Sequence, residues 1–235
     1  MHTRERILLE ALRLFSRKGY DAVSVEQIAD AVGVKAPSLY KHYRSKQDIF
    51  DAIFEETAKR YGAFTDSISV HMGDSAQDLQ VFHSITADGL VEKVKSLISY
   101  SLHDEFVSQF RRMATIEQFR SPELSALYSR RYVTQILDYH KELFQRMIAA
   151  GVMRQEDPGL LAMMYASPIL ILLGECDRHP EREAEIMDAL EQHVRLFHQT
   201  FHLEPPEGGG TLPRRHSGKG AGSMVPAESG GAAHE

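Results

Sequence analysis

The sequence predicts an all-α protein with an N-terminal three-helix helix-turn-helix domain and a larger C-terminal helical domain, about nine helices in all. Apolar residues recur at three- and four-residue spacing over most of the chain, between residue types that cap or end helices. No strand-like alternation of useful length and no fixed-period repeat interrupts this pattern. With 43% apolar and 26% charged residues, the composition is that of an ordinary globular protein.

The first two helices are predicted from caps and an apolar stripe. Thr3 can cap a helix that runs to Lys18, and Gly19 supplies the left-handed residue that ends it. Its apolar stripe consists of Ile7, Leu8, Ala11, Leu12 and Phe15. Ser24 and Gln27 form a capping box for a second helix, which Gly33 ends after about two turns.

A third and a fourth helix complete the N-terminal domain. Pro37 lies near the first position of a short third helix, and Ser45 caps the fourth, with Asp48 in its first turn. Two short helices joined by a turn at residues 32–34 are the pattern of a helix-turn-helix. Each is too short to be stable alone, so we expect both to pack on the first and fourth helices.

The rest of the chain divides into a helical body and a tail. Residues 61–86 show no clear periodicity, but beyond them the sequence predicts helices over about 87–103, 104–119, 122–151, 158–175 and 180–201. Residues 203–235 contain eight Gly and four Pro with few large apolar groups, which predicts a disordered tail. The predicted domains are therefore 1–50, 51–202 and the tail 203–235.

The sequence gives no sign of secretion, disulfides, cofactors or catalysis. Its one cysteine, Cys176, fits a reducing compartment. The N-terminus lacks the apolar core of a secretion signal, and the longest apolar stretch, 160–174, is shorter than the ~20 residues of a membrane span. No phosphate-binding glycine loop, nucleophile elbow or paired-histidine protease motif is present. We expect a soluble cytoplasmic protein that uses no cofactor, does not contact a membrane and is not an enzyme.

The charge is unevenly distributed along the chain. Residues 1–50 contain nine Lys and Arg against six Asp and Glu, a net charge of +3, whereas the whole chain carries −6. A basic end on an acidic body suggests contact with a polyanion. An excess this small also fits a merely solvated surface.

The third helix has a divided surface. Leu39 and Tyr43, four residues apart, can turn inward. The residues left outside are small or basic: Lys35, Ala36, Pro37, Ser38 and Lys41. Tyr40, His42 and Lys46 flank them with groups that can donate hydrogen bonds to phosphate oxygens. This surface suits close approach to the major groove of DNA, although a small helical bundle with an incidental polar face would show the same pattern.

Residues 3–50 closely resemble the DNA-binding domain of TetR-type (TetR/AcrR) transcriptional regulators. The resemblance rests on Thr3, Phe15, Lys18-Gly19-Tyr20, Ser24-Val25, Ile28-Ala29, Val32-Gly33-Val34, Pro37 through Tyr43, and Ser45-Lys46. It implies a homodimer that binds palindromic operator DNA, most often a repressor, and that a small ligand releases. It implies phosphate contacts by Ser24, Tyr40, His42 and Lys46. It also places Lys35, Ala36, Pro37, Ser38 and Lys41 in the major groove, with Lys35 or Lys41 suited to guanine and Ala36 or Pro37 to a thymine methyl.

Two positions depart from the founding member of that family. Glu26 stands where that protein has a base-reading arginine, and Ala36 stands where it has a glutamine, so a different operator sequence is expected. Glu26 could accept a hydrogen bond from a cytosine amino group or could simply be solvated. A carboxylate close to phosphates costs Coulomb energy, which favours the solvated alternative.

The helix at 158–175 is apolar on nearly every face. Its large apolar residues are Leu160, Leu161, Met163, Met164, Tyr165, Ile169, Leu170, Ile171, Leu172 and Leu173. Such a helix must be buried between its own core and another surface. The resemblance implies that this surface belongs to a second subunit, in a four-helix bundle with the helix at 180–201. The alternative is the central core helix of a monomer. Pro168 is expected to kink the helix.

The middle helices offer candidate effector contacts. These are the aromatic or soft residues Tyr100, Phe106, Phe110, Met113, Phe119, Tyr128 and Tyr132, which would suit a hydrophobic or flat aromatic ligand of unknown identity but would equally form plain core. The arginines of the same region are expected to form ion pairs on the surface; they are Arg111, Arg112, Arg130 and Arg131.

Two rival sites are weaker. His198 and His202 have the spacing of zinc ligands, with His193 nearby, but no obvious further ligand accompanies them, so no metal is predicted. Cys176 lies beside Asp177, yet no orienting group for a nucleophile is evident. The remaining alternative to a DNA-binding regulator is a ligand-binding helical dimer that does not bind DNA.

Overall fold

A computed structural model describes residues 2–119 and 122–204. Within them the chain is helical, and the only β-type pairing is an isolated bridge between Met153 and His202. The helices are α1 (Thr3–Lys18), α2 (Val25–Val32), α3 (Ala36–Leu39), α4 (Lys46–Ser67), α5 (Ser75–Phe82), α6 (Ala87–His103), α7 (Glu105–Glu117), α8 (Pro122–Ser129), α9 (Gln135–Ala149), α10 (Pro158–Arg178) and α11 (Glu183–Phe201). The all-α fold class is confirmed.

Two differences raise the number of helical segments above the nine predicted. Helix α5 lies within residues 61–86, where the sequence shows no clear periodicity. Its buried face consists of Ser75, Asp78 and Phe82 and is mostly polar, so no apolar stripe indicates the helix. The predicted helix over 122–151 is divided into α8 and α9 by one π-helical turn, Arg130–Thr134. A 3₁₀ turn, Pro180–Arg182, precedes α11.

Most predicted caps are confirmed. Ser24 Oγ accepts from the Gln27 backbone N–H at 3.3 Å, and the Gln27 side chain accepts from the Ser24 N–H at 3.0 Å. Ser45 Oγ accepts from the Asp48 N–H at 3.0 Å. The start of α1 differs, because Thr3 is already helical and His2 is the N-cap, with its N–H donating to Glu5.

The described chain has two hydrophobic cores. The first lies among α1–α4 and also contains Phe106, Phe110 and Met113 of α7. The second lies among α5, α6, α9, α10 and α11. Helix α7 therefore belongs to the same core as the helix-turn-helix.

The predicted domain boundary after residue 50 falls inside α4, which continues to Ser67. The boundary between the second domain and the tail remains a prediction. Residues 205–235, nearly all of that predicted tail, lie outside the described residues, as do 1, 120 and 121.

Candidate nucleic-acid interface

The turn between α2 and α3 is fixed by backbone geometry. Gly33 adopts φ 77° and ψ 32°, the left-handed conformation that a residue with a Cβ adopts only with strain. The N–H of Val34 donates to the Ala29 carbonyl at 2.9 Å, and Arg6 Nη2 of α1 donates to the Val32 carbonyl at 2.5 Å. The last carbonyls of α2 thus have partners, and the orientation of α3 is set.

Helix α3 is short and packs by its predicted inner face. Leu39 and Tyr43 are buried, which confirms the sequence prediction. Backbone hydrogen bonds from Lys41, His42 and Tyr43 continue the coil as turns beyond Leu39. Arg4 Nε donates to the Tyr43 hydroxyl at 3.2 Å, which joins this turn to α1.

The outer face of α3 is open. Lys35, Pro37, Tyr40, Lys41 and His42 are exposed, whereas Ala36 and Ser38 are half-buried. Among the described residues, no side-chain hydrogen bond or ion pair involves either lysine, Tyr40 or His42. We call the surface of residues 35–38 and 40–42 the α3 face. It carries two lysines and small side chains that leave its centre accessible to a DNA groove.

The two other predicted phosphate contacts have partners within the chain. Lys46 Nζ donates to the carbonyls of Tyr20 at 2.9 Å and Val23 at 3.1 Å, and it lies 4.2 Å from the centre of the Tyr20 ring. Lys46 therefore holds the α1–α2 loop, a role that the sequence analysis did not foresee. Ser24 is exposed, but its oxygen caps α2.

Glu26 is solvated at the start of α2. Its side chain is exposed, and hydrogen bonds from its own backbone N–H and from Ser24 lower its pKa. The carboxylate is therefore charged at neutral pH and repels nearby phosphates. This agrees with the solvated alternative for Glu26.

The second core encloses a cavity of about 170 Å³. Of the predicted effector contacts, Tyr132 lines it. Phe106, Phe110 and Met113 instead pack in the first core, because α7 turns its apolar side towards α1 and α4. Tyr100 stacks on Phe64 with ring centres 4.0 Å apart, and Tyr128 packs on Tyr132 outside the lining. Phe119 is 89% exposed.

Most residues of the cavity wall were not predicted from the sequence. Its aromatic residues include Tyr61, Tyr139, His140, Phe144 and Tyr165. The helical spacing of residues 136, 140, 143 and 147 on α9 is a signal in the sequence that these residues share one face. The same spacing occurs on any helix that packs in a core, so it does not distinguish a cavity from a filled interior.

Two of the four arginines predicted at the surface lie inward. Arg111 is buried and donates to both carboxylate oxygens of Asp177 at 2.7 Å and to the Ser101 carbonyl. Arg112 also donates to Asp177. The Arg131 guanidinium lies 5.0 Å from the centre of the Tyr61 ring, at the cavity wall. Surface pairing was therefore the wrong prediction for Arg111 and Arg131, since the sequence does not show that α7 and the π turn bring them inside.

The rival sites carry no distinct chemistry. His198 and His202 stack with ring centres 4.4 Å apart, and His198 Nε2 contacts the Ile85 carbonyl at 2.9 Å. No group of three His, Cys, Asp or Glu in the described chain could hold a metal ion. Cys176 is buried, and burial raises its pKa, the opposite of what activates a thiol nucleophile.

Helix α10 is half covered. Its inner face, which includes Leu161, Tyr165 and Leu173, packs in the second core. Its outer face exposes Leu160, Met163, Met164 and Ile171, and Leu196 of α11 is 65% exposed. By length and composition alone α10 could cross a membrane, but core helices of soluble proteins pass the same test. We call these five exposed residues the outer apolar face.

These features define a helix-turn-helix domain joined to a helical body that contains an apolar cavity. Residues 7–53 match the sequence profile of bacterial regulatory proteins of the tetR family. The HTH-type transcriptional regulator AcrR of Shigella flexneri is 32% identical over 120 residues, which are 49% of this chain and 54% of that protein. The chain thus spans about half the length of this curated relative. The profile match over residues 7–53 confirms the resemblance found in residues 3–50 of the sequence.

Solved structures extend the likeness to the whole fold. A TetR-family regulator from Mesorhizobium loti superposes with a TM-score of 0.64 at 22% identity, over 86% of this chain and 97% of that one. SmeT, the repressor of the Stenotrophomonas maltophilia multidrug efflux pump SmeDEF, superposes with a TM-score of 0.58 at 20% identity, over 91% of this chain and 98% of that one. SmeT in a complex with triclosan gives a TM-score of 0.61.

Proposed function

We propose that this protein is a ligand-responsive, DNA-binding transcriptional regulator. In the proposal it represses transcription in the cytoplasm by binding a palindromic operator as a homodimer, and a small hydrophobic or aromatic effector releases it. The observation that carries the proposal is the exposed α3 face, where Lys35 and Lys41 have no partner among the described residues, in a domain that matches the tetR-family profile. AcrR and SmeT, which are named a transcriptional regulator and a repressor, support it.

The proposed homodimer forms through the outer apolar face. Leu160, Met164 and Ile171 follow one another at spacings of four and seven, so they share one side of α10. Exposed apolar residues clustered in this way are typical of an interface. In the proposed dimer each copy contributes one α3 face to the same DNA duplex, with an expected half-site spacing of ~34–36 Å.

The proposed effector site is the cavity of the second core. It is apolar, aromatic and enclosed between helices, as small-molecule sites are. Support comes from SmeT, a fold neighbour that has been solved in a complex with triclosan.

The test is selection of DNA by the full chain from a randomised library, followed by fluorescence anisotropy with the selected duplex. We expect a palindromic site and an affinity that falls steeply with salt. Lys35→Ala and Lys41→Ala should each weaken binding about ten-fold and change sequence preference. Lys59→Ala removes the same charge from an exposed site on α4 and is the matched control.

The selection also tests the competing function. A ligand-binding dimer that does not bind DNA would enrich no sequence and would show no salt-dependent affinity. Equal effects of Lys41→Ala and Lys59→Ala would contradict the role of the α3 face while leaving DNA binding intact.

A further inference from the structure

The cavity wall carries two polar groups that have no hydrogen-bond partner among the described residues, the Tyr165 hydroxyl and His140 Nε2. His140 and Tyr165 both line the cavity, with ring centres 5.0 Å apart, and Tyr139 and Phe144 pack around the His140 ring. Tyr165 is only 6% exposed, and its hydroxyl has no hydrogen-bond partner among the described residues. A buried hydroxyl without a partner is costly unless something else satisfies it.

The Tyr165 hydroxyl faces the cavity. Within the described chain, Gln109 Oε1 is the one side-chain atom that lacks both accessible surface and a partner. The Tyr165 oxygen therefore has accessible surface. Because the residue is buried and lines the cavity, a molecule in the cavity can reach this oxygen.

The geometry of His140 fixes which hydrogen bond it can offer. Its Nδ1 lies 2.7 Å from the Ile136 carbonyl, an acceptor, so Nδ1 carries the proton. Nε2 is then an acceptor only, and none of the described residues donates to it. A ligand that satisfies this nitrogen must donate a hydrogen there.

The cavity's cations already have partners. Arg111 is neutralised by Asp177, Lys93 donates to the Ile68 carbonyl, and Arg131 lies over the Tyr61 ring. Thr57 and Ser101 donate their hydroxyls to carbonyls of their own helices, and the other uncharged lining residues are apolar or aromatic. Because the charged groups are engaged elsewhere, an ion beside His140 and Tyr165 would be buried without a free counter-charge, which is costly. This favours an uncharged ligand.

The volume limits the size of the ligand. An apolar cavity of ~150 Å³ accommodates benzene. The present cavity of about 170 Å³ therefore suits one aromatic ring or two fused rings.

We propose that the effector is a neutral phenol-like molecule of one or two rings, whose hydroxyl donates to His140 Nε2 and accepts from the Tyr165 hydroxyl. A hydroxyl both donates and accepts, so it satisfies both groups at once. This inference rests on the proposed function in taking the cavity as the effector site.

The test is calorimetric titration of the full chain at pH 7, without DNA, using three probes that differ in one group. The probes are 2-naphthol, its methyl ether 2-methoxynaphthalene, and the anion 2-naphthoate. The ether cannot donate to His140, so 2-naphthol should bind about ten-fold more tightly, and 2-naphthoate should bind more weakly than 2-naphthol. His140→Phe should bring the naphthol-to-ether ratio close to one. Tyr165→Phe should weaken the binding of both 2-naphthol and its ether, because the oxygen of each probe can accept from the Tyr165 hydroxyl. Thermal unfolding verifies that each variant is folded.

Tyr100→Phe is the matched control for Tyr165→Phe. It removes a hydroxyl that donates to the Arg60 carbonyl outside the cavity, so the affinities for 2-naphthol and its ether should stay as in the unmodified chain. Equal binding of naphthol and ether, preference for 2-naphthoate, binding of none of the probes, or equal weakening of 2-naphthol binding by Tyr100→Phe and Tyr165→Phe would each overturn the inference. DNA selection is measured separately: naphthol discrimination without DNA binding would uphold this inference and refute the proposed function, and the reverse result would do the opposite.

Discussion

Lys46 and Lys41 lie in different surroundings. Its ammonium group is hydrogen-bonded to two carbonyls of the α1–α2 loop, whereas Lys41 on the α3 face has no partner among the described residues. The sequence motif places both lysines in one segment and does not distinguish these environments. Replacing each of the two lysines should therefore have different effects on DNA affinity and stability.

Lys46→Ala should lower both DNA affinity and stability. The substitution removes two charge-assisted hydrogen bonds of a half-buried ammonium, at about 2 kcal/mol, so the melting temperature should fall by about 5 °C. Lys41→Ala should lower DNA affinity and leave the melting temperature unchanged. Thermal unfolding and anisotropy on both variants provide the measurement. If Lys46→Ala melts like the unmodified chain, its contact with the loop is unimportant.

His140 makes stability depend on pH. Burial lowers its pKa to about 4. The unfolded chain therefore takes up this proton first, and the free energy of unfolding should fall as the pH drops from about 6.5 to about 4, by about 3 kcal/mol from this residue. Below pH 4 its contribution should be constant. Burial also lowers the pKa of His202 to about 4, which adds to the slope in the same direction.

Urea unfolding at pH 7 and pH 4.5 measures this effect. His140→Phe should reduce the difference between the two pH values, because the variant cannot take up the proton in either state. An unchanged difference would mean that His140 does not contribute to it.

The residues predicted well from sequence are those whose role is local. Ser24, Gly33 and Ser45 act on backbone groups within four residues, so their patterns can be read along the chain. Leu39 and Tyr43 were predicted to turn inward because they lie four residues apart, on one side of a helical turn. The carbonyl partners of Lys46 lie 26 and 23 residues away and the carboxylate partner of Arg111 lies 66 residues away, and no short pattern indicates them.

Helix α7 joins the two halves of the molecule. Its apolar side packs in the core of the helix-turn-helix, and its Arg111 lines the cavity while it pairs with Asp177 of α10. A pair this deeply buried stabilises the fold only while both charges are present. Arg111 was predicted to lie on the surface, because the sequence alone does not show which helices pack against each other.

Asp177→Asn should destabilise the protein strongly. It leaves the buried guanidinium of Arg111 without a carboxylate, at a cost of about 3–5 kcal/mol, so the melting temperature should fall by about 10 °C. Glu185→Gln, which breaks an exposed ion pair with Arg182, is the control and should melt normally. Similar melting of both variants would show that the Arg111–Asp177 pair is not important for stability.

The π turn at Arg130–Thr134 is a second feature of the helices that was not predicted from the sequence. It contains no proline or glycine, so nothing in its composition interrupts the helical pattern. Its extra residue changes the orientation of α8 relative to α9 and brings Arg131 and Tyr132 to the cavity. The predicted continuous helix could not show this change of register.

The described residues leave one side of α10 uncovered, and the proposed homodimer covers it. Ile171→Glu should convert the dimer into a monomer, because an unpaired carboxylate cannot be buried at an apolar interface without large cost. Affinity for a palindromic duplex should fall accordingly. Sedimentation velocity gives the oligomeric state.

Ile116→Glu is the matched control for this prediction. Ile116 is 51% exposed, but it lies on α7, outside the outer apolar face. The variant should remain dimeric. A chain that sediments as a monomer before any substitution, or an Ile171→Glu variant that remains a dimer, would rule out this interface.

The shared core has a consequence for any attempt to isolate the N-terminal domain. A fragment ending at residue 50 would cut α4 near its start and would remove Phe106, Phe110 and Met113 from the surface of α1 that they cover. The fragment would expose this apolar surface to solvent and would aggregate or unfold. A fragment that keeps the core of the helix-turn-helix intact must therefore extend at least to Glu117, and a graft onto another protein would have to carry part of the cavity wall with it.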